Sequence, residues 1–128
     1  MQPSKEILIK LAIEKSQKAL KDAELTLNNK SIETALNRTY YAIFYIVTAL
    51  AHKYNFTTAK HSTLRGWFNK KFVYEDKIFD AKMAKVYKET FIYRQKSDYD
   101  ITYIPNEESA KDLLCEAKNF VEIVLKVL

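Results

Sequence analysis

An all-α fold, an antiparallel bundle of about five helices, is what this chain predicts, and two observations carry the prediction. Glycine and proline are nearly absent, with 1 Gly and 2 Pro in 128 residues. Sheet-rich domains place Gly, Pro or Asn at hairpin after hairpin, and this chain cannot turn that often. Apolar residues also recur every three or four positions, over stretches long enough to be helices. A hydrophobic content of 48% and a charged content of 29% match a folded globular chain rather than a disordered one. The length fits one domain, residues 1–128, with a single core of four up-and-down helices and one shorter helix.

The first helix is predicted from Ser4 to Leu27, with Ala12, Ala19 and Ala23 as a close-packing face among lysines. The run Asn28–Asn29–Lys30 breaks it, and Ser31 is read as the N-cap of a second helix ending near Lys53. A third covers Lys60 to Phe72, with Leu64, Trp67, Phe68 and Phe72 apolar, and a fourth covers Phe79 to Ser97. After a break containing Pro105, Asn106 caps the fifth, whose first turn carries Glu107 and Glu108. Carboxylates there suit the positive end of the helix dipole. Leu113, Leu114, Ala117, Phe120, Val121, Val124 and Leu125 form its apolar face, and Cys115 is expected to join them in the core.

The second helix has an unusual pattern. Ile32, Leu36, Thr39, Ile43, Ile46, Val47 and Leu50 form one apolar face, but the opposite side carries Arg38, Tyr41, Tyr45, Thr48 and His52 instead of a charged, solvated face. Such a helix is either central to the bundle or presents its second stripe to a partner or ligand. Arg38, Tyr41, Tyr45 and His52 are therefore the expected interface.

One cysteine excludes an internal disulfide and a cysteine-rich zinc site. A reducing, cytoplasmic location is the expectation, since the start of the chain shows no signal peptide. The longest uncharged run, Thr39 to Ala51, falls short of the roughly 20 residues a membrane span needs. No metal or cofactor is expected: the two histidines form no ligand cluster, and Gly66 stands alone where a phosphate loop would need several glycines.

The net charge of +5 and pI of about 9.2 suit a polyanionic partner, though lysine-rich helix surfaces reach such values without one. The arginines are more informative. Among lysines, only Arg38, Arg65 and Arg94 bring a planar, multi-donor cation. Arg94 lies on the apolar face of the fourth helix, one turn before Asp98. The pair reads either as a brace closing the helix end or as a phosphate grip held in position by the carboxylate. His61 lies one turn before Arg65 and reads as a capping or packing group, or as a phosphate contact or proton-transfer group. His52 is the weaker histidine candidate.

Three ordered segments carry a resemblance: "NRTYYAIFYIVTAL" (37–50), "KHSTLRGWFNKKFV" (60–73) and "YRQKSDYD" (93–100). They resemble the signatures of a subfamily of small prokaryotic HEPN-domain proteins (higher-eukaryote and prokaryote nucleotide-binding domain), through Arg38, Tyr40, Tyr41, Ala42, Phe44, His61, Arg65, Arg94, Asp98 and Tyr99. The resemblance implies a helical bundle, a homodimer, and work beside a small nucleotidyltransferase in a toxin–antitoxin-like pair. The ribonucleases of that family carry Arg followed, after four to six residues, by His. Here Tyr99, Asp100 and Ile101 stand at those positions after Arg94. After Arg38 they are Ile43, Phe44 and Tyr45, and after Arg65 they are Lys70, Lys71 and Phe72.

The expected function is thus a nucleotide- or RNA-phosphate-binding module, with Arg38, Arg65, Arg94, Asp98, His61 and Tyr99 at the ligand. The alternative is a metal-independent ribonuclease toxin using Arg94 and His61, and a further alternative is a helical interaction protein with no ligand.

Overall fold

The structure, a computed structural model, describes residues 3–128. Five α-helices follow in order: α1 Lys5–Asn28, α2 Ile32–Lys53, α3 His61–Phe68, α4 Ala81–Tyr99 and α5 Glu107–Leu125. A π-helical segment, Asn69–Glu75, continues α3 without a break. Helix α2 is the hub and packs on α1, α3, α4 and α5. Its central position explains the missing solvated face, because Ala35, Leu36, Thr39, Tyr40, Ala42, Ile43, Ile46, Val47, Ala49, Leu50 and Ala51 are all buried. The α1–α2 contact is the most extensive, and small residues permit it: Ala12, Ser16, Ala19 and Ala23 are buried along α1. The Ser16 hydroxyl donates to the Ala42 carbonyl at 2.6 Å, so no polar group is stranded at that close approach.

The near-absence of glycine has a structural counterpart. Helices α1 and α2 both end in a left-handed residue, but it is Lys30 (φ 64°) and Asn55 (φ 59°) rather than glycine. After α1, Lys30 N–H bonds Leu27 O and Ser31 N–H bonds Thr26 O. After α2, Asn55 N–H bonds His52 O and Phe56 N–H bonds Ala51 O. These paired bonds are the Schellman closure, which satisfies the last carbonyls of a helix.

Ser31 is the N-cap residue of α2 as expected, although its side chain makes no cap hydrogen bond. Three local expectations are corrected. The third helix stops as an α-helix at Phe68, where the register widens to the i→i+5 pattern. The fourth helix starts at Ala81, not Phe79: the Asp80 carboxylate accepts from Lys82 N–H and fixes the start two residues later. Cys115 is exposed, because it shares a helix face with Lys111, Lys118 and Glu122 rather than with Leu114 and Ala117. The Asn106 cap forms as expected, accepting from Ser109 N–H at 2.9 Å.

One end of the core is an aromatic cluster. Phe68 stacks on Phe79 and Phe72 and meets Tyr87 and Phe120 edge-on or tilted, with centroids 5.4 to 6.0 Å apart. No helix is long and apolar enough to cross a membrane among the described residues.

Candidate functional site

Helices α2, α3 and α4 bring the three arginines onto one aromatic platform. Tyr40, Tyr41 and Phe44 come from consecutive turns of α2, His61 from the start of α3, and Phe91 and Arg94 from neighbouring turns of α4. The Arg38 guanidinium lies 5.0 Å from the Tyr41 ring centroid and that of Arg94 lies 5.4 Å from it, so both cations contact one ring. Arg94 is also 5.5 Å from the Tyr40 centroid and 5.6 Å from that of Tyr99. Arg65 sits 4.5 Å from the centroid of Phe91, which meets Tyr40 edge-on at 5.9 Å. Each arginine is thus held by the face of an aromatic ring, an attraction worth about 0.5 to 2 kcal/mol depending on desolvation.

A hydrogen-bonded chain fixes the arginines further. Arg38 donates through Nε and Nη2 to the Asn37 amide oxygen, at 3.0 and 2.8 Å. Asn37 donates through Nδ2 to Asp98 at 3.1 Å, and Arg94 donates through Nε to the same carboxylate oxygen at 2.9 Å. The other side of Arg94 reaches the Tyr41 hydroxyl with a long contact of 3.4 Å. The Arg94–Asp98 brace is therefore real, and it also ties α4 to α2. Only the Nε edge of the Arg94 fork meets a carboxylate. Its Nη1 group has no hydrogen bond among the described residues, so donors remain for an anion.

His61 is neither a cap nor an isolated surface group. Its ring stacks on Phe44 at 4.2 Å between centroids, and its Nδ1 lies 2.8 Å from the Tyr40 hydroxyl. Burial, and secondarily the positive charge of Arg94, lowers its pKa below the usual 6.5, so the ring is neutral near pH 7. Burial pushes the Tyr40 hydroxyl up to about 12, against the smaller opposing pull of Arg94, so this group stays protonated. Tyr40 is 1% exposed, and its hydroxyl has no other partner among the described residues. Donation of its proton to Nδ1 is the arrangement that leaves no buried donor unmade. The neutral ring then carries its own proton on Nε2. In this tautomer His61 presents an N–H donor beside Arg94, not a lone pair.

The residues expected at a ligand (Arg38, Arg65, Arg94, Asp98, His61 and Tyr99) thus fall together, and Tyr99 is the outermost at 72% exposed. Of the expected interface, Arg38 and Tyr41 belong to this platform. Tyr45 continues it, 5.8 Å from Tyr41, with Lys15 of α1 5.4 Å above its ring. His52 does not reach the platform. It lies two turns beyond Phe44, in a shallow hollow with Pro3, Lys5, Leu8, Asn55, Phe56 and Thr57. Sequence reasoning missed Asn37, Tyr40, Phe44 and Phe91 as site residues. The available signal was their spacing: Phe91 precedes Arg94 by one turn, and Tyr40 and Phe44 are one turn apart. Among the described residues no three His, Cys, Asp or Glu side chains come together to hold a metal.

The platform gathers groups whose chemistry suits an anion: several fixed guanidinium groups, an imidazole N–H and aromatic faces for stacking. Comparison with known proteins agrees with the three-segment resemblance. The chain is 33% identical over 124 residues to a Thermotoga maritima protein named "UPF0332 protein", covering 97% of this chain and 93% of that one. It is 33% identical over 116 residues to the Methanocaldococcus jannaschii protein named "Putative toxin MJ0142", covering 91% and 78% of the two chains. A second protein of that archaeon, "Putative toxin MJ0605", is 32% identical over 120 residues, covering 94% and 88%. The HEPN domain model matches residues 9–127, and with the bundle and relatives of this similarity the chain belongs to the HEPN-domain family.

Proposed function

We propose that this protein binds RNA through its phosphates at the arginine–aromatic platform, as the RNA-directed member of a toxin–antitoxin-like pair. One observation carries the reading: the only three arginines of a lysine-rich chain meet on a single set of aromatic rings. Arg94 and Arg38 supply fixed donors, the His61 Nε2–H adds a third, and the exposed Tyr99 offers a face to a base. Two relatives whose names carry the word toxin support the biological setting. A small nucleotidyltransferase is the partner the family resemblance suggests. A second copy of the chain is proposed to pack at the far end of the stripe on α2, around Tyr45, leaving Arg38 and Tyr41 to the ligand.

Titration of labelled single-stranded RNA at two salt concentrations tests the reading. Binding should weaken steeply with salt, because phosphate contacts release counterions. Arg94→Ala and Arg65→Ala should each weaken it by about tenfold or more. Salt-insensitive binding, or none, would remove the proposal. Sedimentation of Tyr45→Glu beside the unchanged protein tests the self-association.

A second reading, a metal-independent ribonuclease, is favoured by the position of His61 beside Arg94. The Nε2–H tautomer argues against it, since deprotonating a 2′-hydroxyl needs an acceptor at that nitrogen.

A further inference from the structure

A groove of about 500 Å³ runs beside the platform, between the π-helical segment and α4. Its walls are Arg65, Asn69 and Tyr74 on one side and Lys85 and Lys88 on the other, over a floor of Ala81 and Ala84. Two features suit it to a nucleic-acid strand. The first is charge: Arg65, Lys85 and Lys88 face the same space, and among the described residues Lys85 has only Glu89 as a counter-ion, at a loose 3.9 Å. The second is an aromatic face, since Tyr74 is 61% exposed at the rim.

The geometry joins this groove to the platform. Arg65 belongs to both, lining the groove and stacking on Phe91. Along α4, Lys88, Phe91 and Arg94 follow at intervals of three residues, so each is turned about 60° from the last and the row winds around the helix from the groove to the platform. At 1.5 Å per residue, Lys88 lies about 9 Å and Lys85 about 14 Å along the axis from Arg94. The π-helical register also has a consequence here. By widening the helix after Phe68, it buries Phe72 and Val73 and leaves Tyr74 outward at the groove rim.

We infer that the groove lined by Arg65, Asn69, Tyr74, Lys85 and Lys88 is an extended subsite that holds single-stranded RNA leaving the Arg94 platform. This rests on the RNA reading above and adds the path and the length of the ligand. Lys85 and Lys88 contact successive phosphates, Tyr74 stacks under a base, and short ligands stop at the platform.

The experiment compares diuridylate with octauridylate, each fluorescently labelled, on the intact protein. The unchanged protein should bind octauridylate at least tenfold more tightly than diuridylate. Lys85→Gln with Lys88→Gln should remove about tenfold from octauridylate binding and lower its salt slope by about two, one for each lost phosphate contact. Diuridylate binding should stay as it was. Tyr74→Ala should weaken only the longer ligand. A control pair on α1, Lys10→Gln with Lys21→Gln, carries the same change in net charge and should do neither. If the groove variants bind octauridylate normally, or if the α1 pair weakens it equally, the groove is not the path, although the platform reading stands. If neither oligonucleotide binds the unchanged protein, the platform reading has failed and the groove falls with it.

Discussion

Two buried tyrosines, Tyr40 and Tyr87, show how differently the two aromatic regions of this bundle are built. Tyr40 is 1% exposed and Tyr87 is fully buried. Burial raises both hydroxyls well above their ordinary value, so both stay protonated. Tyr40 spends its proton on His61 Nδ1 and thereby sets the tautomer of a half-exposed ring. Tyr87, packed against Phe68 and Phe120, has a hydroxyl with no partner among the described residues. The first region is aromatic in order to hold cations and an imidazole in place. The second is aromatic in order to fill space, and there the polar atom is a cost.

Truncation separates the two regions most strongly. Phe68→Ala, at the centre of the dry region, should cost about 3 to 5 kcal/mol in denaturant unfolding. Phe44→Ala, in the half-exposed platform, should cost less than half of that and should instead loosen His61. Equal losses would mean that the platform is simply more core.

Removing one oxygen from each tyrosine sharpens the contrast. Tyr40→Phe leaves His61 Nδ1 without its donor and should destabilise by about 1 kcal/mol, as lost internal hydrogen bonds typically do. It should also move the His61 ring signals in NMR. Tyr87→Phe removes an unpaired polar atom from an apolar site and should be neutral or stabilising by up to about 1 kcal/mol. A loss at Tyr87→Phe as large as that at Tyr40→Phe would contradict the account.

The smallest effect concerns pH. The fold lowers the pKa of His61, so below about 6.5 the unfolded chain binds a proton that the folded chain resists. Stability should therefore fall on acidification through that window. His61→Gln should flatten that part of the profile. An unchanged slope would show that His61 is not held neutral.

Much of this was legible in the sequence, for reasons the residues make clear. Helix identity followed from periodicity, and the missing charged face marked α2 as either central or partner-facing, of which the structure shows the central position. Arg38, Arg65 and Arg94 stood out against a background of lysine, and the fold joins all three. The misses were of other kinds. The Tyr40–His61 bond spans two helices, so no local pattern encodes it. Asn37 reads as an ordinary polar residue until Asp98 arrives from α4. The π-helical register after Phe68 depends on packing, since Asn69–Glu75 continues the apolar spacing of α3. Cys115 was misplaced because apolar neighbours in sequence are not neighbours on a helix.

Whether the platform binds RNA, and whether it leaves the RNA intact, is read in a single assay. Metal-free protein is incubated with end-labelled single-stranded RNA, and samples are run on native and denaturing gels beside His61→Ala and Arg94→Ala. The account predicts a shifted complex with intact RNA, strongly weakened in Arg94→Ala and moderately weakened in His61→Ala. Cleavage products that vanish in both variants would contradict it and would make His61 the proton acceptor of a ribonuclease.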